Sequence, residues 1–181
     1  AYSAMSVLST LLVYPVVAIA AGMTVRSFAR AVLPAQLIAF SSSSSVASLP
    51  ALVEGAEGPL GLPPRVTGFV LPLAVSTFKY AAPAAWTVGS CFVAWFYQVP
   101  LHLPQYLTIA FASIFIAFAA PCVPRGAFLM LAPLFLAIGL PVEGIGILIA
   151  VDAVPDLFAT VTNATGDFAA AVLVAARPDR D

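Results

Sequence analysis

The residues best equipped for chemistry lie in one run near the C-terminal end, VDAVPDLFATVTNATGD. It carries Asp152, Asp156, Asn163 and Asp167, with Thr160 between them. On a helix turning about 100° per residue, Asp152, Ala159, Asn163, Asp156, Asp167 and Thr160 fall within an arc of roughly 100°. Leu157, Phe158 and Val161 fall elsewhere. Carboxylates accept from a cation or an ammonium group, and a carboxamide offers donors to a carboxylate. The chain around this stripe is 62% hydrophobic and only 8% charged over 181 residues. Soluble domains carry about 25% charged residues, so the expectation is an integral membrane protein. An Asp at the bilayer centre costs roughly 2.5–3.5 kcal/mol on insertion scales. Three on one face need partners, and two readings are open. The helix end dips into water with some acids paired to Lys79 or Arg125, or the stripe lines a path for a cation or charged ligand. Pro155 should kink the helix and free a carbonyl one turn earlier.

A second polar feature faces the same question. IAFSSSSSVASLP, residues Ile38–Pro50, places five consecutive serines between apolar runs. It is either a Ser-rich linker between two spans or a non-helical tip that brings backbone groups to mid-bilayer depth. The segments around it favour the tip. Residues 1–26 read as a transmembrane helix, with Arg26 and Arg30 at a cytoplasmic boundary by the positive-inside tendency. Ala31–Phe40 and Val46–Val53 are each too short to cross. Short, polar, short over 27–57 is the pattern of a re-entrant hairpin.

Residues 64–99 form a long apolar stretch interrupted at STFKYAAP, Ser76–Pro83, which puts Lys79 at mid-membrane depth. That predicts a discontinuous helix lining a cavity. Residues 104–140 repeat the hairpin pattern around PCVPRG, with Arg125 at its tip, and 142–177 form the last transmembrane helix. The arginines Arg26, Arg30, Arg65, Arg177 and Arg180 fall on one side if the two hairpins enter from opposite faces. The opposite turns, around His102 and Glu143, hold no Lys or Arg. The fold class expected is therefore all-α integral membrane, with two re-entrant helical hairpins entering from opposite faces and discontinuous helices. This is the inverted-repeat logic of secondary transporters.

Other function classes have little to stand on. The net charge of −1 gives no case for nucleic-acid binding. Cys91 and Cys122 lie in apolar runs and read as small buried hydrophobes rather than a disulfide or zinc pattern. His102, in an opposite-side turn, is the one histidine and reads as a polar interface residue; no triad or metal spacing accompanies it, so an enzyme is not expected. The sequence opens at Ala1 inside an apolar run, without a signal-peptide pattern, and reads as the C-terminal portion of a longer chain whose N-terminal scaffold spans lie elsewhere.

SSSSVASLP, FVLPLAVST, the VPRG tip and VDAVPDLFATVTNATGD together resemble the dicarboxylate/amino acid:cation symporter family, which includes the glutamate transporters. The resemblance runs over nearly the whole chain. It implies a glutamate-transporter-like transport domain that moves against scaffold spans, in a homotrimer, within the multi-pass inner membrane of a cell. It implies that Ser44 and Ser45 meet substrate through hydroxyls and backbone amides, with Thr160 lining the same site. Asp156 would take a substrate ammonium and Asn163 its α-carboxylate. Asp167 would bind sodium, with backbone carbonyls near Ala74 and Phe78 and in the Asn163 turn; carbonyls and a carboxylate suit a hard cation.

The departures from the family carry their own implications. Its NMDGT break is here Phe78-Lys79-Tyr80-Ala81-Ala82, which replaces an Asn and an Asp that help bind sodium. The arginine that grips an acidic substrate side chain falls at Ala159. An alanine there leaves room for an apolar group and favours a neutral amino acid. Arg125 could instead restore a positive group for a dicarboxylate, or it snorkels to the interface. Lys79 could act as a tethered cation against Asp152 or Asp156 in place of one sodium, or form a structural ion pair; its titration after desolvation would open proton coupling. The expected function is cation-coupled symport of a small amino acid or dicarboxylate, with no cofactor beyond the coupling ion. A degenerate relative that binds or regulates without transporting is the alternative, and an anion channel is a more distant one.

Overall fold

The computed structural model describes residues 1–119 and 126–176, and every regular element among them is helical. Ten helices follow in order: α1 Tyr2–Ala21, α2 Val25–Ser42, α3 Ser45–Glu57, α4 Pro64–Thr77, α5 Ala82–Phe96, α6 Leu103–Ala119, α7 Gly126–Leu129, α8 Ala132–Ile138, α9 Gly144–Val151 and α10 Ala153–Ala175. Local chemistry explains the stops. Gly22 ends α1 in the left-handed region at φ 65°, where a residue without Cβ is unstrained. Thr24 then caps α2 by accepting from the Ser27 amide. Gly139 ends α8 at φ 77°.

Two cores form. The first wraps α10: Phe28, Val32 and Ala35 of α2, Leu52 and Ala56 of α3, and Leu71 and Val75 of α4 meet Phe168, Ala171 and Val172. Phe28 is fully buried and its ring lies 5.5 Å from that of Phe168. The second joins Trp86 and Val93 of α5, Ile109 of α6, Leu131, Phe135 of α8 and Leu148 of α9. Helices approach closely where a side chain is missing: a Cβ on Gly55 of α3 would collide with the Ala31 carbonyl of α2. Small residues at such crossings are how helices associate where lipid removes the hydrophobic drive between them.

The outer surface is apolar. Leu8, Leu11, Leu12, Val16 and Ile19 of α1 are exposed, Ile19 at 84%. Hydroxyls, by contrast, turn inward onto their own helices: Ser76 donates to the Pro72 carbonyl (2.7 Å), Thr87 to Pro83 (2.8 Å) and Thr108 to Pro104 (2.8 Å). Each satisfies a polar group without water, as a lipid-facing helix requires. Two helices, α1 and α10, are long and apolar enough to cross a membrane.

The element boundaries refine the sequence reading. The first run ends at Ala21, and Arg26 and Arg30 belong to α2. The serines continue α2 to Ser42, so the turn is Ser43–Ser44 alone. The 64–99 stretch breaks between Thr77 and Ala82, and the last segment divides at Asp152 rather than bending at Pro155. The proline acts as expected one turn upstream, because its missing N–H leaves the carbonyl of Val151, where α9 ends, without an i+4 partner. The tip of the second hairpin pattern, with Cys122 and Arg125, lies outside the described residues.

Gly55→Ala should destabilise the complete protein by roughly 1–3 kcal/mol, because the α2–α3 crossing must open to admit a methyl group. Gly146→Ala, where a Cβ would meet nothing within 4 Å, should leave stability unchanged or slightly raised. Thermal unfolding of both variants in detergent checks the pair.

Candidate functional site

The polar residues of α10 converge with two chain breaks. The first is the turn between α2 and α3. Ser43 takes φ 50°, ψ 33°, and Ser44 takes an extended conformation as the cap of α3, its hydroxyl accepting from the Ala47 amide at 3.2 Å. Ser42 holds the turn from the other side, donating to the Ile38 carbonyl at 2.7 Å. Serine hydroxyls compete with helical bonds in this way, which is why a run of them ends one helix and starts another. The N-terminus of α3, with its positive dipole end, results.

The second break is Phe78–Ala81, between α4 and α5. Asn163 of α10 reaches it, its Oδ1 accepting from the Ala81 amide at 2.9 Å. Phe78 and Tyr80 stack with their rings 6.1 Å apart. The Tyr80 ring lies on Gly166 of α10, where a Cβ would come within 2.8 Å of it. Lys79 then turns towards the serine turn: its Nζ donates to the Val75 carbonyl at 2.9 Å and to Ser45 Oγ at 3.4 Å.

Asp167 is wholly buried, and neither carboxylate oxygen has a hydrogen-bond partner among the described residues. A buried carboxylate without donors is strongly unfavourable unless a positive charge compensates it. The residues present therefore fit a cation.

The structure brings Ser45 to Lys79 and Asn163 to Ala81, both in the α4–α5 break, and Gly166, next to Asp167, lies under Tyr80 of the same break. Ser44 is half-buried at the turn and Ser45 is the first, buried residue of α3. Ala159 is buried, at 7% exposure, and Thr160 donates its hydroxyl to the Asp156 carbonyl at 2.8 Å. Asp156 sits about 10 Å along the axis from Asn163, half-buried, and Asp152 is buried at the α9–α10 junction. Ala74 does not offer its carbonyl freely: it closes α4 by accepting from the Phe78 amide at 2.7 Å. Lys79 hydrogen-bonds to the Val75 carbonyl and to Ser45.

A model described as "Sodium:dicarboxylate symporter family" matches residues 1–177. The chain belongs to that family. It is 28% identical over 91% of its length to the proton/sodium-glutamate symport protein of Bacillus subtilis, covering 38% of that protein. It is 33% identical over 76% to the proton/glutamate-aspartate symporter of the same organism, covering 33% of it. Against human neutral amino acid transporter A it is 33% identical over 71%, covering 24%. The chain thus spans between a quarter and two fifths of the length of these relatives.

Family membership does not explain a set of polar contacts that position α10. Gln36 of α2 donates from Nε2 to Thr165 Oγ1 (2.7 Å) and to the Tyr14 hydroxyl of α1 (2.8 Å). Thr162 bonds Thr10 of α1 at 2.8 Å and donates to the Ser6 carbonyl at 3.0 Å. The available signal was the lone Gln36 in an otherwise apolar stretch of α2 and the threonines at Thr162 and Thr165, one turn apart on α10.

Asn163→Ala would leave the buried Ala81 amide without its acceptor and should lower stability by roughly 1–3 kcal/mol. Asn163→Asp keeps an acceptor oxygen and should lose less. Denaturation midpoints of the two variants in the same detergent, compared with the parent, measure the difference.

Proposed function

We propose that this chain is the transport domain of a cation-coupled secondary transporter for small amino acids, with neutral ones preferred over acidic ones. The observation that carries the reading is Asp167, a fully buried carboxylate with neither oxygen hydrogen-bonded among the described residues, next in sequence to Gly166, on which Tyr80 of the α4–α5 break lies. A sodium ion supplies the missing partner, and sodium is in the name of the family. The α2–α3 pair and the α6–α8 pair act as re-entrant hairpins entering from opposite faces of the membrane, and α4–α5 as the discontinuous span between them. Non-helical backbone at membrane depth is tolerated where it lines such a cavity.

The ligand handles follow from the donors and acceptors present. Asp156 takes the ammonium of the substrate. Asn163 spends its Oδ1 on Ala81, so its amide nitrogen is the group that meets the α-carboxylate, together with the Ser44 hydroxyl and the N-terminus of α3 at Ser45. Ala159 leaves no cationic group on α10 for an acidic side chain, and relatives of both kinds, glutamate carriers and neutral amino acid transporters, are similar to the chain. Arg125 is the residue through which a dicarboxylate would enter the choice. The complete protein works as a homotrimer in the inner membrane, each transport domain moving against scaffold spans.

Two measurements test the reading. Sodium should raise the thermal stability of the detergent-solubilised complete protein by mass action, and Asp167→Asn should remove that increase while leaving the ion-free protein folded. In proteoliposomes, uptake of labelled alanine or serine should follow an imposed sodium gradient, and Ala159→Arg should move preference towards aspartate by about tenfold or more, as a new charge pair implies. Absence of uptake and of exchange for every amino acid and dicarboxylate tried would establish the non-transporting alternative instead.

A further inference from the structure

We propose that Arg26 and Arg30 of α2 bind the phosphate of an anionic phospholipid, whose acyl chains lie along Leu33 and Leu37 of the same helix. The claim rests on a bilayer around the chain and on neither the substrate nor the coupling ion.

The four residues stand at i, i+4, i+7 and i+11. At 100° per residue they fall within about 60° of the helix surface. All four are exposed, Leu33 at 50% and Leu37 at 62%, while Phe28, Val32, Ala35 and Ala39 are buried on the other side of α2. One outward stripe thus changes from cationic to apolar along its length. Arg26 and Arg30 are about 6 Å apart along the axis, and a headgroup layer is about 5–8 Å thick. An acidic protein segment would answer the arginines alone. A phospholipid answers the charge and the apolar stripe, in that order.

Nothing inside the bundle meets the two charges. Neither arginine has an ion-pair partner among the described residues. The acids at this end, Glu54 and Glu57, belong to α3, and Glu57 accepts from the Thr67 hydroxyl of α4. Arg26 is also the second residue of α2, where a cation opposes the positive end of the helix dipole. A phosphate outside the helix relieves that conflict, and a guanidinium fork takes two of its oxygens at once. Helix α4 marks the same depth. Ala31 of α2 lies against Gly55 of α3, and Glu57, two residues on, reaches Thr67, so α2 and α4 start at the same end of the bundle. There Arg65 is exposed and is followed at i+4 and i+8 by Phe69 (69%) and Leu73 (50%). Two helices therefore change from charged to apolar at one level, as a flat headgroup layer requires.

Photocrosslinking tests the site. The complete protein would be reconstituted in phosphatidylcholine vesicles with a trace of phosphatidylglycerol or phosphatidylcholine bearing a diazirine in its acyl chain. Labelling of the peptide holding Leu33 and Leu37 would be measured relative to that holding Leu8 and Leu11 of α1. Phosphatidylglycerol should give the higher ratio. Arg26→Gln with Arg30→Gln should lower it about 25-fold, about fivefold for each basic residue at an anionic surface, and Arg26→Lys with Arg30→Lys should keep most of it. Either single glutamine variant carries the test if the double one does not fold. Equal ratios for the two lipids, or an unchanged ratio in the glutamine variants, overturn the proposal. Loss of the α2 label on adding soluble poly-glutamate would assign the arginines to an acidic protein segment and overturn it too. No uptake step enters the measurement, so its failure and that of the transport reading are separate results.

Discussion

A carboxylate that has lost its water and gained no hydrogen bond among the described residues is the constraint on which this structure turns. Asp167 lies at zero exposure in the middle of α10, next to the aromatic packing of Phe168 on Phe28. Burial of an ionised group in such surroundings is tolerated only with a compensating charge. Compensation has to come from elements other than α10, and the fold supplies two chain breaks at that level. Helices α2 and α3 stop at the serine turn, and α4 and α5 stop around Lys79. Both breaks expose backbone groups that an unbroken helix would keep to itself. The cost of interrupting two helices in an apolar chain is thus offset where the freed groups face one another and a buried charge.

Polar contacts also fix the frame in which that charge sits. Thr162 and Thr165 tie α10 to α1 and α2, through Thr10 and Gln36, and Asn163 ties it to the α4–α5 break. Three side chains within about one turn of α10 are therefore spent on position. Apolar packing alone would let α10 slide or rotate, because surrounding lipid is as apolar as the contacts it would replace. Directional bonds at Thr162, Asn163 and Thr165 remove that freedom and fix the level at which Asp167 lies.

Much of this was legible in the residues, for reasons that can be named. The carboxylate stripe of α10 depends only on helical spacing and on the expense of charge in hydrocarbon, and the serine run on the competition of hydroxyls with helical bonds. Both are local. The contacts of Lys79 were not legible: that its ammonium turns back to the Val75 carbonyl and across to Ser45 depends on how α3 packs against the end of α4. The role of Ala74 escaped for a similar reason, since whether a carbonyl is free depends on how the helix end closes, and α4 closes onto Ala74 through Phe78. The division at Asp152 illustrates the opposite case. Pro155 announced the missing bond, but whether the helix bends or divides depends on what α9 packs against, here Val93 of α5 beside Gly144.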